Sequence, residues 1–115
     1  RRNNMICGKN CPNYHKINNK RQEVELNRIE ELSNIFKILS DTTRLKIVCS
    51  LLNKEIRVSD ISNNLNINRT TVSHHLKTLR DNKLVKFKQI GLEKYYSLKD
   101  PHIEQIILQG IDHIK

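Results

Sequence analysis

The chain has no tryptophan and only three tyrosines and two phenylalanines in 115 residues. Leucine and isoleucine must therefore supply most of the core, and at this length the core is that of one modest domain. Glycine occurs three times and proline twice, and no glycine-rich loop that could cradle a nucleotide phosphate is present. No nucleophile–base pairing and no open metal motif with a general base can be found, which argues against an enzyme. No hydrophobic run approaches membrane-spanning length, and no secretory leader is visible. Three cysteines, an odd number, point to a reducing cytoplasm rather than to a disulfide framework. Acidic side chains are also scarce: 12 Asp and Glu stand against 21 Lys and Arg, a formal charge of +9. That balance favours a polyanionic partner bound with strong salt dependence, and it carries no sequence preference of its own.

The stretch from Val58 to Leu98 says how such a partner would be read. Ser59 can cap a helix whose Ile61 and Leu65 lie four apart on one face. Asn66-Ile67-Asn68 is a turn, with Ile67 able to plug the angle between two helices and Asn68 able to cap the second. In that second helix Val72, Leu76 and Leu79 recur at i, i+4 and i+7 and form the inward stripe. At ~100° per residue, Thr70, Thr71, His74, Lys77 and Thr78 fall opposite it, with Arg69 and Ser73 flanking in the first turns. The outward set contains no carboxylate, which argues against a protein-interaction role. Adjacent histidines diverge by about 100°, so His74 and His75 suit contact and packing rather than chelation. A hairpin follows, with Gly91 in its turn, Tyr95, Tyr96 and Leu98 on the return strand, and Lys86, Lys88 and Lys94 lining it. The order predicts a mainly α fold with a small β-wing: a winged helix-turn-helix that binds double-stranded DNA.

Residues 1–22 are polar, rich in Asn and Lys and broken by Gly8 and Pro12, and read as a mobile or partner-ordered arm. Residues 23–115 read as the DNA-binding and dimerisation domain. A helix is expected from Glu23 to Leu39, then one from Thr42 to Leu52 capped by Asp41. After the wing, Asp100 caps a last helix with Pro101 at its first position. Ile103, Ile106, Ile107, Ile111 and Ile114 are too many apolar groups for one small domain to hide, so a homodimer through the first and last helices is expected.

Taken in order, SDTTRLKIV, TVSHHLKTLRDNKLV, a wing ending in YYSL and the DPH that opens the last helix resemble the ArsR/SmtB family of metal-responsive repressors. The resemblance covers nearly all of residues 25–115. It implies a dimeric repressor that leaves its operator when an inducer binds. It also puts Arg69, Thr70, Ser73 and His74 at the family's DNA-contacting positions.

Asp100, His102 and His113 match that family's zinc pattern on the last helix. Carboxylate and imidazole donors suit Zn or Co, with Cd as a further inducer ion. His102 and His113 lie within about 20° of each other around the helix but roughly 16 Å apart along it, so one ion cannot bind both within one chain. Two last helices packed antiparallel would bring His102 of one chain to His113 of the other. The family's fourth ligand falls just beyond Lys115, or water takes its place. Asp100 also serves as an ordinary helix cap, and a histidine at the rim of an apolar face also serves as plain surface.

Cys7 and Cys11 resemble the arm of the family's cadmium- and lead-sensing, CadC-like branch, which adds a second thiol pair in the first helix of the helix-turn-helix. Here EIRVSD places Arg57 and Ser59 at those positions, which leaves the thiol site incomplete unless His15 adds a ligand. A winged-helix regulator answering to soft metals or to thiol oxidation through Cys7 and Cys11 is the alternative reading. Cys49 shares an apolar face with Leu45, Val48 and Leu52 and reads as a small core residue.

Overall fold

The computed structural model describes residues 25–115. They form α1 (Leu26–Leu39), α2 (Thr42–Ser50), β1 (Ile56–Arg57), α3 (Val58–Leu65), α4 (Arg69–Asp81), β2 (Val85–Ile90), β3 (Glu93–Leu98) and α5 (Pro101–Ile114). The chain divides into two compact units, one ending at Asn34 and one running from Ile35 to Lys115. The second unit holds the last turn of α1 and everything after it. The arm, with Cys7, Cys11 and His15, lies outside the described residues, as do Glu23 and Val24 at the expected start of the first helix.

The core belongs to the second unit. Ile47 and Val48 of α2, Ile61 of α3, and Val72, Leu76 and Leu79 of α4 have no exposed surface at all. Leu51, Leu84 and Val85 close the same cluster. Each such aliphatic side chain stabilises the fold by about 1.5–3 kcal/mol relative to exposure, so three helices are fixed against one another by a few branched residues.

Side-chain caps set where most of these helices begin. Asp41 Oδ2 accepts the Arg44 N–H at 2.8 Å, Asn68 Oδ1 accepts from Thr70 at 2.7 Å, and Asp100 Oδ1 accepts from His102 at 2.9 Å. The start of α3 differs from expectation. Its N-cap residue is Arg57, which makes no side-chain cap, and Ser59 lies inside the first turn. Arg57 instead reaches forward to Asp60, Nε to Oδ2 at 3.2 Å. A carboxylate in the first turn also suits the helix dipole. At the far end of α2, Leu51 and Leu52 turn their N–H groups to Val48 and Cys49, so the helix stops at Ser50 rather than Leu52.

Asn66 ends α3 in the left-handed conformation at φ 56°, a shape asparagine tolerates better than most residues. Ile67 then packs partly buried on the core, and the hydroxyl of Ser62 donates to its carbonyl. The plug-and-cap reading of Asn66-Ile67-Asn68 therefore describes the joint.

The sheet has three antiparallel strands in the order β1-β3-β2. The hairpin pairs Val85 with Leu98 and Phe87 with Tyr96, and Gly91 takes φ +64° in its turn. The two-residue strand β1, which pairs Ile56 with Tyr96 and Arg57 with Tyr95, is an addition to the expected wing.

In α5, Ile103 and Ile107 are buried within the unit, whereas Leu108, Ile111 and Ile114 are exposed. The isoleucines expected to share one dimer face are thus split between the core and the surface.

The caps give a direct contrast. Asn68→Ala should lower unfolding stability by about 1 kcal/mol, while Ser59→Ala should stay within about 0.5 kcal/mol, both read from urea denaturation midpoints. An equal loss at Ser59 would place the α3 cap there after all.

Candidate nucleic-acid interface

The burial of Val72, Leu76 and Leu79 fixes the rotation of α4 and so decides what it shows to solvent. Arg69, Thr70, Thr71, Ser73, His74 and Lys77 are exposed, and Thr78 is half-buried. The helix carries no acidic residue before Asp81, which Lys77 holds at 3.4 Å. The face offers one guanidinium, hydroxyls, an imidazole and an ammonium. That set can hold phosphate oxygens and hydrogen-bond to base edges, and it has no nucleophile set against a base.

His75 turns toward α2 instead. Its Nδ1 and the Nε of Arg44 are both buried without a hydrogen-bond partner, while Arg44 Nη1 donates to the Ile38 carbonyl at 3.1 Å. Burial pulls the His75 pKa below its ordinary value, and the Arg44 charge adds to this, with Asp41 opposing and His74 contributing. The folded state thus resists protonation that the unfolded chain accepts. Stability should fall as pH drops through the ordinary histidine range and level off once the folded form also takes the proton. Melting temperature followed from about pH 7.5 to about pH 5 should show this loss, and His75→Gln should flatten it. An unchanged slope in the variant would assign the loss to other groups.

Strand alternation sorts the wing lysines. Lys86 and Lys88 lie on the outer face of the hairpin with Tyr95 and Ser97, and Lys88 Nζ is 3.1 Å from Glu55 Oε1. Lys94, paired with Gln89, falls on the face of Phe87 and Tyr96. Its Nζ stands 4.7 Å from the Phe87 ring centroid, and the guanidinium carbon of Arg80 stands 5.2 Å from the same centroid. The expected wing lysines are thus brought to one hairpin but not to one face. The sequence pattern alone did not single out the Arg80–Phe87 contact. Arg80 shares the helical edge of Arg69 and Ser73, a spacing that could have revealed it.

Arg57 sits where the hairpin meets α3. It binds Asp60 and lies 3.9 Å from Glu93. Its hydrogen bond to Asp60, helped by the guanidinium charge, holds that carboxyl below its usual range. This position is a cation fixed on carboxylates, not a soft ligand.

On the last helix, Asp100 Oδ1 also lies 3.3 Å from His102 Nδ1, and both His102 and His113 are exposed. The donor chemistry fits a borderline divalent ion. One chain does not close a site: among the described residues no group of three or more His, Cys, Asp or Glu comes together. Beside α5, an apolar groove of about 330 Å³ is lined by Phe36, Leu39, Leu45, Cys49, Ile111 and Ile114, among others. Burial raises the Cys49 thiol pKa, as suits a packing residue. No helix among the described residues is long and apolar enough to cross a membrane.

Comparison with known proteins agrees with this geometry. Residues 41–86 match the model of the bacterial regulatory protein, arsR family. The cadmium resistance transcriptional regulatory protein CadC of Listeria innocua is 34% identical over 111 residues, covering 96% of this chain and 93% of that protein. A transcriptional repressor SmtB homolog from Synechocystis is 28% identical over 96% of this chain and 84% of its own length. The crystal structure of the transcriptional repressor PagR of Bacillus anthracis superposes with a TM-score of 0.67 at 35% identity, covering 74% of this chain and 98% of that one. Matched through its helix-turn-helix and along nearly its whole length, this chain belongs to the ArsR family of bacterial regulatory proteins.

Proposed function

We propose that two copies of this chain repress transcription in the cytoplasm by binding a pseudo-palindromic operator, and that a divalent metal ion releases them. The observation that carries the DNA reading is the α4 face. Arg69, Thr70, Ser73, His74 and Lys77 stand outward on a helix whose inner stripe is wholly buried. The wing adds further cations, Lys94 on the face of Phe87 and Lys86 and Lys88 on the outer face. Arg69→Ala and His74→Ala should weaken a selected operator more than a random duplex, and Lys86→Ala should weaken both alike, by fluorescence anisotropy. Equal losses on both duplexes for all three variants would mean that α4 is not the reading surface.

The dimer reading rests on apolar side chains that the chain leaves in water. Leu26, Ile29, Leu32 and Phe36 of α1 are exposed, and so are Ile111 and Ile114 of α5. A two-fold dimer presents two recognition helices to two half-sites. Ile107 is buried within the unit, so substitution there tests the core. Ile111→Lys with Ile114→Lys is the cleaner probe, and sedimentation should show monomers for that variant and dimers for the parent.

Asp100 and His102 of one chain, with His113 of the other, would hold the ion, Zn or Co first and Cd next. Asp100 Oδ1 and His102 Nδ1 stand 3.3 Å apart within one chain, a separation that two ligands of one ion can have. A bound ion supplies a cross-link between two last helices. Since the recognition helices ride on the same dimer, linkage requires operator DNA to weaken metal binding by the factor that metal weakens operator binding. About 3 kcal/mol of coupling corresponds to a hundredfold release. Mixed dimers of His102→Ala and His113→Ala chains decide the arrangement. Ligands in trans leave one intact site per heterodimer, seen as half the wild-type cobalt absorbance. No tetrahedral cobalt signal at all would rule the shared site out.

A second reading is favoured by the cadmium-resistance relative, since this chain carries Cys7 and Cys11. Against it, Arg57 is a cation already bound by two carboxylates where a completing thiol would be needed. Cys7→Ser with Cys11→Ser should therefore leave the Zn or Co response of operator binding intact. A double variant that binds operator and ignores every ion would make the arm the sensor.

A further inference from the structure

Recognition helix and wing meet at Phe87. Arg80, in the last turn of α4, and Lys94, on β3, come within 5.2 Å and 4.7 Å of its ring centroid. Two like charges drawn to one ring oppose each other, and the fold does not neutralise them. The carboxylates next to them in sequence are engaged elsewhere, Asp81 with Lys77 and Glu93 with Arg57. Among the described residues Arg80 and Lys94 enter no ion pair with a carboxylate. The face of an aromatic ring attracts each cation and fixes where it stands while leaving its charge intact. Two exposed, unneutralised cations held against one ring by separate elements make a seat for an anionic backbone.

The position of the seat says which anion. Measured around α4 from Val72, Arg69 lies near 60°, Arg80 near 80° and Ser73 near 100°. Arg80 therefore continues the edge on which Arg69 and Ser73 stand, roughly 16 Å further along the axis from Arg69. A nucleic-acid strand following that edge toward the wing arrives at Arg80, and Lys94 stands against the same ring.

We infer that Arg80 and Lys94 together hold one stretch of the DNA phosphodiester backbone as it passes from recognition helix to wing, with Phe87 as the positioning residue. The inference rests on the DNA-binding reading above and adds a contact that ties the two DNA-facing elements into one surface.

The test uses the full chain and a short duplex selected by it from a randomised pool, alongside an unselected duplex. Both cations are exposed, so Arg80→Gln and Lys94→Gln should fold normally. Each should weaken both duplexes by the same factor and reduce the slope of log affinity against log salt by about one. Methylphosphonate substitution, one phosphate at a time, should show both variants losing sensitivity at the same phosphate or at immediate neighbours on one strand. Phe87→Leu should cost about two- to fivefold in affinity. Phe87→Tyr should restore it, and the Phe87→Leu loss should vanish in the Arg80→Gln, Lys94→Gln background. A merely structural phenylalanine would cost the same in either background.

Sensitivities falling on opposite strands or on distant phosphates overturn the seat, as do variants with unchanged salt slopes. In those cases the wild-type chain still binds DNA and the broader reading stands. A wild-type chain that binds neither duplex overturns both.

Discussion

The rotation of α4 about its own axis is the constraint on which the rest of this molecule depends. Val72, Leu76 and Leu79 are completely enclosed, in one cluster with Ile47, Val48 and Ile61. A helix turned by one residue, about 100°, would bring Ser73 and Lys77 inward and put the aliphatic stripe in water. Losing any one of these side chains leaves a cavity that costs several kcal/mol, so no alternative rotation competes. The outward residues are therefore held in place by groups that never touch a partner.

Net charge and local pairing answer different questions. An excess of +9 draws the chain toward a polyanion from a distance. Pairing then decides which cations are left to make contact. Arg57, Lys77 and Lys88 are partly committed to Asp60, Asp81 and Glu55 within the fold. Exposed pairs of this kind contribute little to stability, yet each keeps a side chain from ranging freely. The cations without such partners, Arg69 on the helix and Lys86 on the wing among them, are the ones free to be neutralised by something else.

Much of the fold was legible because its signals are short-range. Caps at Asp41, Asn68 and Asp100 depend on neighbours two or three residues away, and the α4 stripe depends only on helical period. Three features needed the third dimension. Strand β1 is two residues long and exists because β3 offers Tyr95 and Tyr96 as partners, which no local pattern reveals. The start of α3 lies at Arg57 rather than Ser59, where the chain leaves strand β1, whose partner β3 is distant in sequence. The split of the α5 isoleucines into buried Ile107 and exposed Ile111 depends on where the rest of the unit ends, which periodicity cannot supply. Of the candidate sites, the α4 face was legible for the same reason as the stripe. The place of the wing lysines on the hairpin was legible from alternation, but their division between two faces waited on the register that sets Lys94 against Gln89.

The strand order β1-β3-β2 has a bearing on colloidal behaviour. Tyr95 and Tyr96, in the most aromatic stretch of the chain, are paired on both sides, by β1 and by β2. The sheet's outer edges belong to the other strands. One is only two residues long, and the other is β2, with lysines at 86 and 88 exposed along it. Unpaired strand edges template the addition of foreign strands, and brevity and lysine are two ways of blunting them. Each outer edge of this sheet thus carries a feature that discourages the addition of a foreign strand.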